Sequence, residues 1–175
     1  MPKDDRVDKL RAEWAQERPD IDTSPVAVVA RIGRAARFLD NGMDAYFEQH
    51  GISRPSWDIL ATLRRSGPPF RLSPTDLYRA VMRTSGAMTR RIDTLERAGW
   101  VTRAPDPADR RGIVVALTPA GLALVDEVAA GHIENERELL ASLSETEQRT
   151  LADLLKKLLL EFEDEAPERS HVDEV

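Results

Sequence analysis

Between residues 71 and 119 a short capped helix, a turn, a second helix, an aromatic strand, an Arg/Asp-rich loop and another strand follow one another within 49 residues, and the rest of the chain is organised around them. Ser73-Pro74 caps a helix of about two turns ending near Ala80, and Thr84 or Ser85 starts another that runs to Ala98 and stops at Gly99. Residues 100–104 and 113–117 are rich in β-branched or aromatic side chains. They flank Pro105-Asp106-Pro107-Ala108-Asp109-Arg110-Arg111-Gly112, which reads as a hairpin. Helix, turn, helix, strand, loop, strand is the order of a winged helix-turn-helix.

Charge singles out the same stretch. It carries nine Arg against five Asp and Glu, so it is locally +4 in a chain of net charge −6, and the other 126 of the 175 residues sum to −10. A basic module inside an acidic protein needs an anionic partner, and DNA is the first candidate.

The flanks read as helices. Val7, Leu10 and Trp14 recur at helical spacing among charged residues 3–18, and Pro19 ends the run; this predicts an amphipathic helix that staples Trp14 onto the body. Ser24-Pro25 caps the longest helix, whose stripe runs through Val28, Ile32, Ala35, Leu39, Met43 and Phe47 to Gln49, with Gly51 closing it. Ser53-x-Pro55 opens the next, with Ile59, Leu60 and Leu63 inward, and Ser66-Gly67-Pro68-Pro69 breaks the pattern. Thr118-Pro119 caps a helix reaching Ala141, and Ser144-Glu145-Thr146-Glu147 is a capping box for the last one.

That last helix carries Leu151, Leu154, Leu155, Leu158, Leu159 and Phe162, each worth about 1.5–3 kcal/mol when buried. Such a face needs cover, from a two-fold partner chain or from its own chain. Residues 163–175 are acidic and polar and read as a flexible tail. The expected fold class is therefore mainly α with a small β-hairpin.

Composition removes several functions. With 41% apolar and 32% charged residues the chain is an ordinary folded protein, no apolar run approaches the ~18–20 residues of a membrane span, and the charged N-terminus is not signal-like, so a cytoplasmic location is expected. The absence of Cys excludes disulfides, zinc–thiolate sites and thiol redox sensing. His50, His132 and His171 lie far apart without metal-ligand spacing, so neither a metal nor a cofactor is expected. His50 with Asp58 is the best acid–base pair the chain offers, and eight residues across a turn do not make an active site.

The second helix of the central module holds the informative chemistry. At about 100° per residue, Met88, Ile92 and Leu95 form its buried stripe. Gly86, Arg90, Asp93 and Arg97 lie opposite, with Ala87, Thr89 and Thr94 on the flanks. A major groove about 12 Å wide admits a helix of this kind, with hydroxyls and guanidinium groups at the base edges. The expected DNA contacts are Thr84, Ser85, Ala87, Thr89, Arg90 and Arg97, together with Arg110 and Arg111 at the hairpin tip, where a basic wing enters the minor groove. Asp109 orients an arginine, since a free carboxylate is repelled by phosphate. Arg91 falls at the edge of the buried stripe, and a guanidinium turned inward needs an anion or several acceptors. Asp58, in the preceding apolar helix, is the acidic candidate nearby, or else an ion-pair partner of Arg54. Arg103 points the same way as Val101.

Ser85-x-x-x-Thr89-Arg90-x-x-x-x-Leu95-Glu96-x-x-Gly99-x-Val101-x-Arg103, followed by Asp106-Pro107-x-Asp109-Arg110-Arg111-x-x-x-Val115-x-Leu117-Thr118 and Gly121, resembles the MarR family of bacterial transcriptional regulators over residues 26–162. The resemblance implies a homodimer whose winged helices read a palindromic operator in double-stranded DNA, with half-sites about 34–36 Å apart. It also implies a division into an additional N-terminal helix (1–22), a helical dimerisation region (23–50 and 118–162), a winged helix-turn-helix (51–117) and the acidic tail (163–175). Trp14, Asp58, Arg91 and Arg103, with the extra N-terminal helix, resemble the ligand-site quartet of the urate-responsive (PecS-like and HucR-like) subgroup. That resemblance implies a regulator, in the sense of a repressor, released by a small anionic ligand such as urate or a related purine. Trp14 would shape the pocket, Arg91 would hold the anion, Arg103 would add charge, and Asp58 would be repelled and pass its displacement to the recognition helix. A repressor answering to phenolic or other aromatic acids, and a dimeric interaction protein with a vestigial helix-turn-helix, are the other readings. Thr89, Arg90, Arg110 and Arg111 together weigh against the second.

Overall fold

Serine and threonine hydroxyls, prolines and glycines set most of the helix boundaries. The computed structural model describes residues 3–81, 88–107, 109 and 112–165. In chain order the elements are α1 (Arg6–Glu17), α2 (Ser24–Gln49), α3 (Arg54–Arg65), β1 (Arg71–Leu72), α4 (Pro74–Ala80), α5 (Met88–Arg97), β2 (Val101–Pro105), β3 (Ile113–Leu117), α6 (Pro119–Leu139) and α7 (Glu145–Glu165). Ser53 and Ser73 accept the amides of Ser56 and Asp76, and prolines occupy the first turns of α3 and α4. At the start of α2 the N-cap is Thr23, one residue before the expected Ser24, and its side chain makes no capping bond. The Ser24 amide is instead taken by the Asp22 carboxylate at 2.8 Å.

The fold divides the chain into one unit of residues 1–135 and another of 136–175. The core of the first unit is built from Phe47, Ile59, Leu60, Leu63, Leu77, Leu95, Val101, Val115, Val125 and Val128, all essentially without solvent exposure. α3 is its centre and packs against α2, α4, α5 and β3. The expected hairpin is present as β2 and β3, paired antiparallel from Val101 and Leu117 to Pro105 and Ile113, and a third strand adds to it. Arg71 and Leu72 pair antiparallel with Ala116 and Val115, so the order is β1-β3-β2, with β3 in the middle.

α1 rests on α2. Its Asp5–Asp8 capping box is complete, and Arg31 of α2 bridges both carboxylates, at 2.9 Å to Asp5 and 2.7 Å to Asp8. The Arg31 guanidinium, aided by backbone amides, holds the Asp5 carboxyl down to about 2. Val7 is the buried anchor of α1 at 3% exposure, whereas Trp14 is 47% exposed. The helix at 3–18 is present; the staple is Val7, not Trp14.

In the second unit, Ser144 and Glu147 form the expected reciprocal box, with Ser144 N to Glu147 Oε2 at 2.8 Å. The Gln148 amide donates to the carbonyls of Leu143 and Leu140 and closes the preceding turn. Leu154 and Phe162 are each 61% exposed, so the apolar stripe of α7 lies open within one chain. Among the described residues no helix is long and apolar enough to cross a membrane.

Candidate nucleic-acid interface

α5 is seated by the three residues its periodicity singled out. Met88, Ile92 and Leu95 are buried, and the helix packs on α3 and β2. Gly99, at φ 77°, turns the chain out of α5, and the Trp100 amide bonds back to Leu95 O at 3.0 Å. Thr89, Arg90, Thr94 and Arg97 are exposed on the outer arc. Thr94 Oγ1 donates to the main-chain Arg90 O at 2.9 Å and accepts from Arg97 Nη2 at 3.2 Å, so the Arg97 guanidinium is held along this face. Thr84, Ser85, Gly86, Ala87, Arg110 and Arg111 lie outside the described residues.

The base of the wing is defined. Asp106 N donates to Gly112 O, and Gly112 N to Asp109 O, both at 2.9 Å, which closes the loop between β2 and β3. Asp106 and Asp109 fold over Gly112 so closely that a side-chain carbon there would meet their Cβ atoms at 3.0 and 3.3 Å.

Arg103 is held by two carboxylates of α5. Its guanidinium bridges Asp93 at 2.5 Å and Glu96, both on α5, and its backbone N–H donates to Glu96 at 3.0 Å. Asp93, against the cost of burial, and then Glu96 raise its already high pKa. Arg103 does lie on the Val101 side of β2, but two carboxylates there consume the charge expected to meet a ligand. The sequence pattern assigns no role to Glu96 and turns Asp93 outward. Their separations of seven and ten residues from Arg103 carry no periodic signal, so nothing in the pattern points to the cluster.

The remaining effector candidates are dispersed. Asp58 and Arg91 are half-buried on α3 and α5, two helices in contact. Arg54 pairs with Asp40 and, at 3.0 Å, Asp44 of α2, while Asp58 adds only a longer-range field to it. At about 100° per residue, Arg91 lies about 140–160° around α5 from Asp93 and Glu96, so it and Arg103 flank the helix on opposite sides. Trp14 is carried by α1, whose main neighbour is α2. His50 packs on Tyr46, with ring centres 4.8 Å apart, within the aromatic cluster of Phe47, Trp57 and His132.

Known proteins share this architecture and much of this sequence. Residues 52–113 match the MarR family model. The HTH-type transcriptional regulator PecS of Dickeya dadantii (strain 3937) is 39% identical over 152 residues, covering 87% of this chain and 92% of that protein. Among solved structures, a mutant of Escherichia coli MarR complexed with operator DNA is 27% identical with a TM-score of 0.66, covering 83% of this chain and 97% of that one. Sco3205, a MarR family transcriptional regulator from Streptomyces coelicolor in complex with DNA, is 25% identical with a TM-score of 0.71, covering 87% and 96%.

Proposed function

This chain belongs to the MarR family of transcriptional regulators, and from that premise we propose that it represses by binding a palindromic operator as a homodimer and lets go when a small anionic aromatic ligand binds. The carrying observation is α5: three buried apolar residues fix its phase, so Thr89, Arg90 and Arg97 are presented together on the exposed arc. Operator DNA bound by the E. coli relative and DNA bound by Sco3205 support the same use of this fold here. The dimer reading is supported by the open apolar surface of single helices: Val29 on α2 is 70% exposed, and α7 presents its leucines.

The direct test is operator affinity against salt. DNA binding through phosphates weakens steeply as salt rises, because counterions are released on binding. Replacing Arg110 and Arg111 together by Ala should weaken binding to every duplex, operator or not, and flatten the slope of log K against log salt by roughly 2, about one unit for each phosphate no longer neutralised. An unchanged slope in fluorescence anisotropy titrations removes the wing from the interface.

For the effector, the similarity to PecS favours the urate-type subgroup, and on that resemblance we propose that Arg91 holds the anion, Asp58 is displaced by it and Trp14 shapes the site. Arg103 is left out because Asp93 and Glu96 already hold it. Ligand release needs only 1–3 kcal/mol of differential affinity, a factor of about 5–150. Arg91→Ala should keep operator affinity within about threefold while losing release by urate. Release of the Arg91→Ala protein by the same urate concentration that frees the parent sinks this assignment. Xanthine, hypoxanthine and salicylate titrated beside urate identify the ligand class.

A further inference from the structure

We propose that Arg103 is a positioning residue for DNA binding, which masks two carboxylates on the recognition helix and ties that helix to the wing. This rests on the DNA-binding reading above. By helical phase Asp93 lies only about 40–60° from Arg97 and Arg90 on α5, and Glu96 follows on the same flank. Unmasked carboxylates at that position repel phosphate. The chain nevertheless places two of them beside its DNA-facing arc.

The third partner explains how such a helix serves. Arg103 leaves β2 with one terminal nitrogen on Asp93 Oδ1 at 2.5 Å and the other on Glu96 Oε2, while its main-chain N–H donates to Glu96 Oε1 at 3.0 Å. A planar fork is needed to grip two separate carboxylates; an ammonium is a single point charge. The strand leading into the wing and the helix entering the groove are therefore joined by charge, and the local sum falls from −2 to −1. An effector that bound Arg103 would have to displace both carboxylates. The geometry favours a standing role in the DNA-competent state.

The test uses the full-length protein, a labelled duplex selected from a random-sequence pool, and an unselected duplex of equal length. Arg103→Ala should weaken binding to both duplexes by about tenfold, because the exposed charge is indifferent to sequence. Adding Asp93→Asn and Glu96→Gln to Arg103→Ala should restore affinity to within about threefold of the parent, since the repelling charges are gone. Arg103→Lys should fall between, neutralising one carboxylate and not the other. A merely structural role does not yield to charge removal at Asp93 and Glu96, so the rescue is the deciding readout. Should Arg103→Ala fail to fold, Asp93→Asn/Glu96→Gln alone decides: it should bind at least as tightly as the parent, and a tenfold loss overturns the proposal. Arg103→Ala with parental affinity overturns it too, as does a triple variant as weak as Arg103→Ala. A parent protein that binds neither duplex overturns the DNA-binding reading itself, and the inference with it.

Discussion

Gly121→Ala should lower the melting temperature by about 8–15 °C, because the added methyl group has no room against the backbone of Trp100. A side-chain carbon at Gly121 would stand 1.9 Å from Trp100 O, 2.8 Å from its carbonyl carbon and 3.1 Å from its Cα. All three are backbone atoms, so no rotamer change relieves the clash. The first turn of α6 would have to move away from the strand entrance at Trp100. Thr118 N to Trp100 O at 3.0 Å and Thr118 Oγ1 to Gly99 O at 2.7 Å hold it there, and the same hydroxyl caps the turn by accepting from Gly121 N at 3.0 Å. Overpacking costs about 1–3 kcal/mol and each broken hydrogen bond about 1 kcal/mol, giving a total near 4 kcal/mol. At about 2–4 °C per kcal/mol for a chain of this size, that is the stated drop. Thermal unfolding followed by circular dichroism checks it; a shift under 2 °C means that α6 and the strand entrance separate freely.

The second large effect concerns assembly. Ending the chain after Leu143 removes α7 and, on the proposed dimer, should yield aggregating material, because the faces proposed to meet a partner are left bare. Operator affinity should fall by about 10²–10⁴-fold, the range gained when two linked modules bind one site instead of one. A gentler variant separates lost assembly from lost folding. Leu154→Glu with Leu158→Glu changes two side chains that are already exposed within the chain, so the monomer fold should survive while self-association fails. Sedimentation equilibrium reports the mass. A truncated chain that stays a soluble monomer of parental affinity overturns the dimer reading.

The features legible in the sequence are those with local causes. Ser53 and Ser73 before prolines, the Ser144–Glu147 box and the glycines at 51 and 99 mark the helix ends because each acts on the backbone within four residues. Met88, Ile92 and Leu95 are readable from period alone, and so is the outward arc of α5. β1 is not legible. Two residues have no periodicity, and Arg71 and Leu72 become a strand only because Ala116 and Val115 lie beside them. Arg103 escapes for the same reason. Its phase on β2 follows from the alternation of the strand, but its partners come from the neighbouring helix, and nothing within β2 announces them. Trp14 is overvalued by its size; the smaller Val7 is the residue α1 buries.

The order β1-β3-β2 has a consequence for how the molecule is made. Both outer strands depend on β3, the last of the three to be synthesised, and Arg71 waits for Ala116, 45 positions later. α1 and α2 meet through nearby residues, so a growing chain can close that pair early. The three-stranded sheet cannot form on any nascent chain that has not released residues 113–117 from the ribosome. Until then α4 and α5 have no completed sheet to rest on. The winged part of the fold is thus completed only after β3 is made, and a chain stalled before β3 is left without its three-stranded sheet.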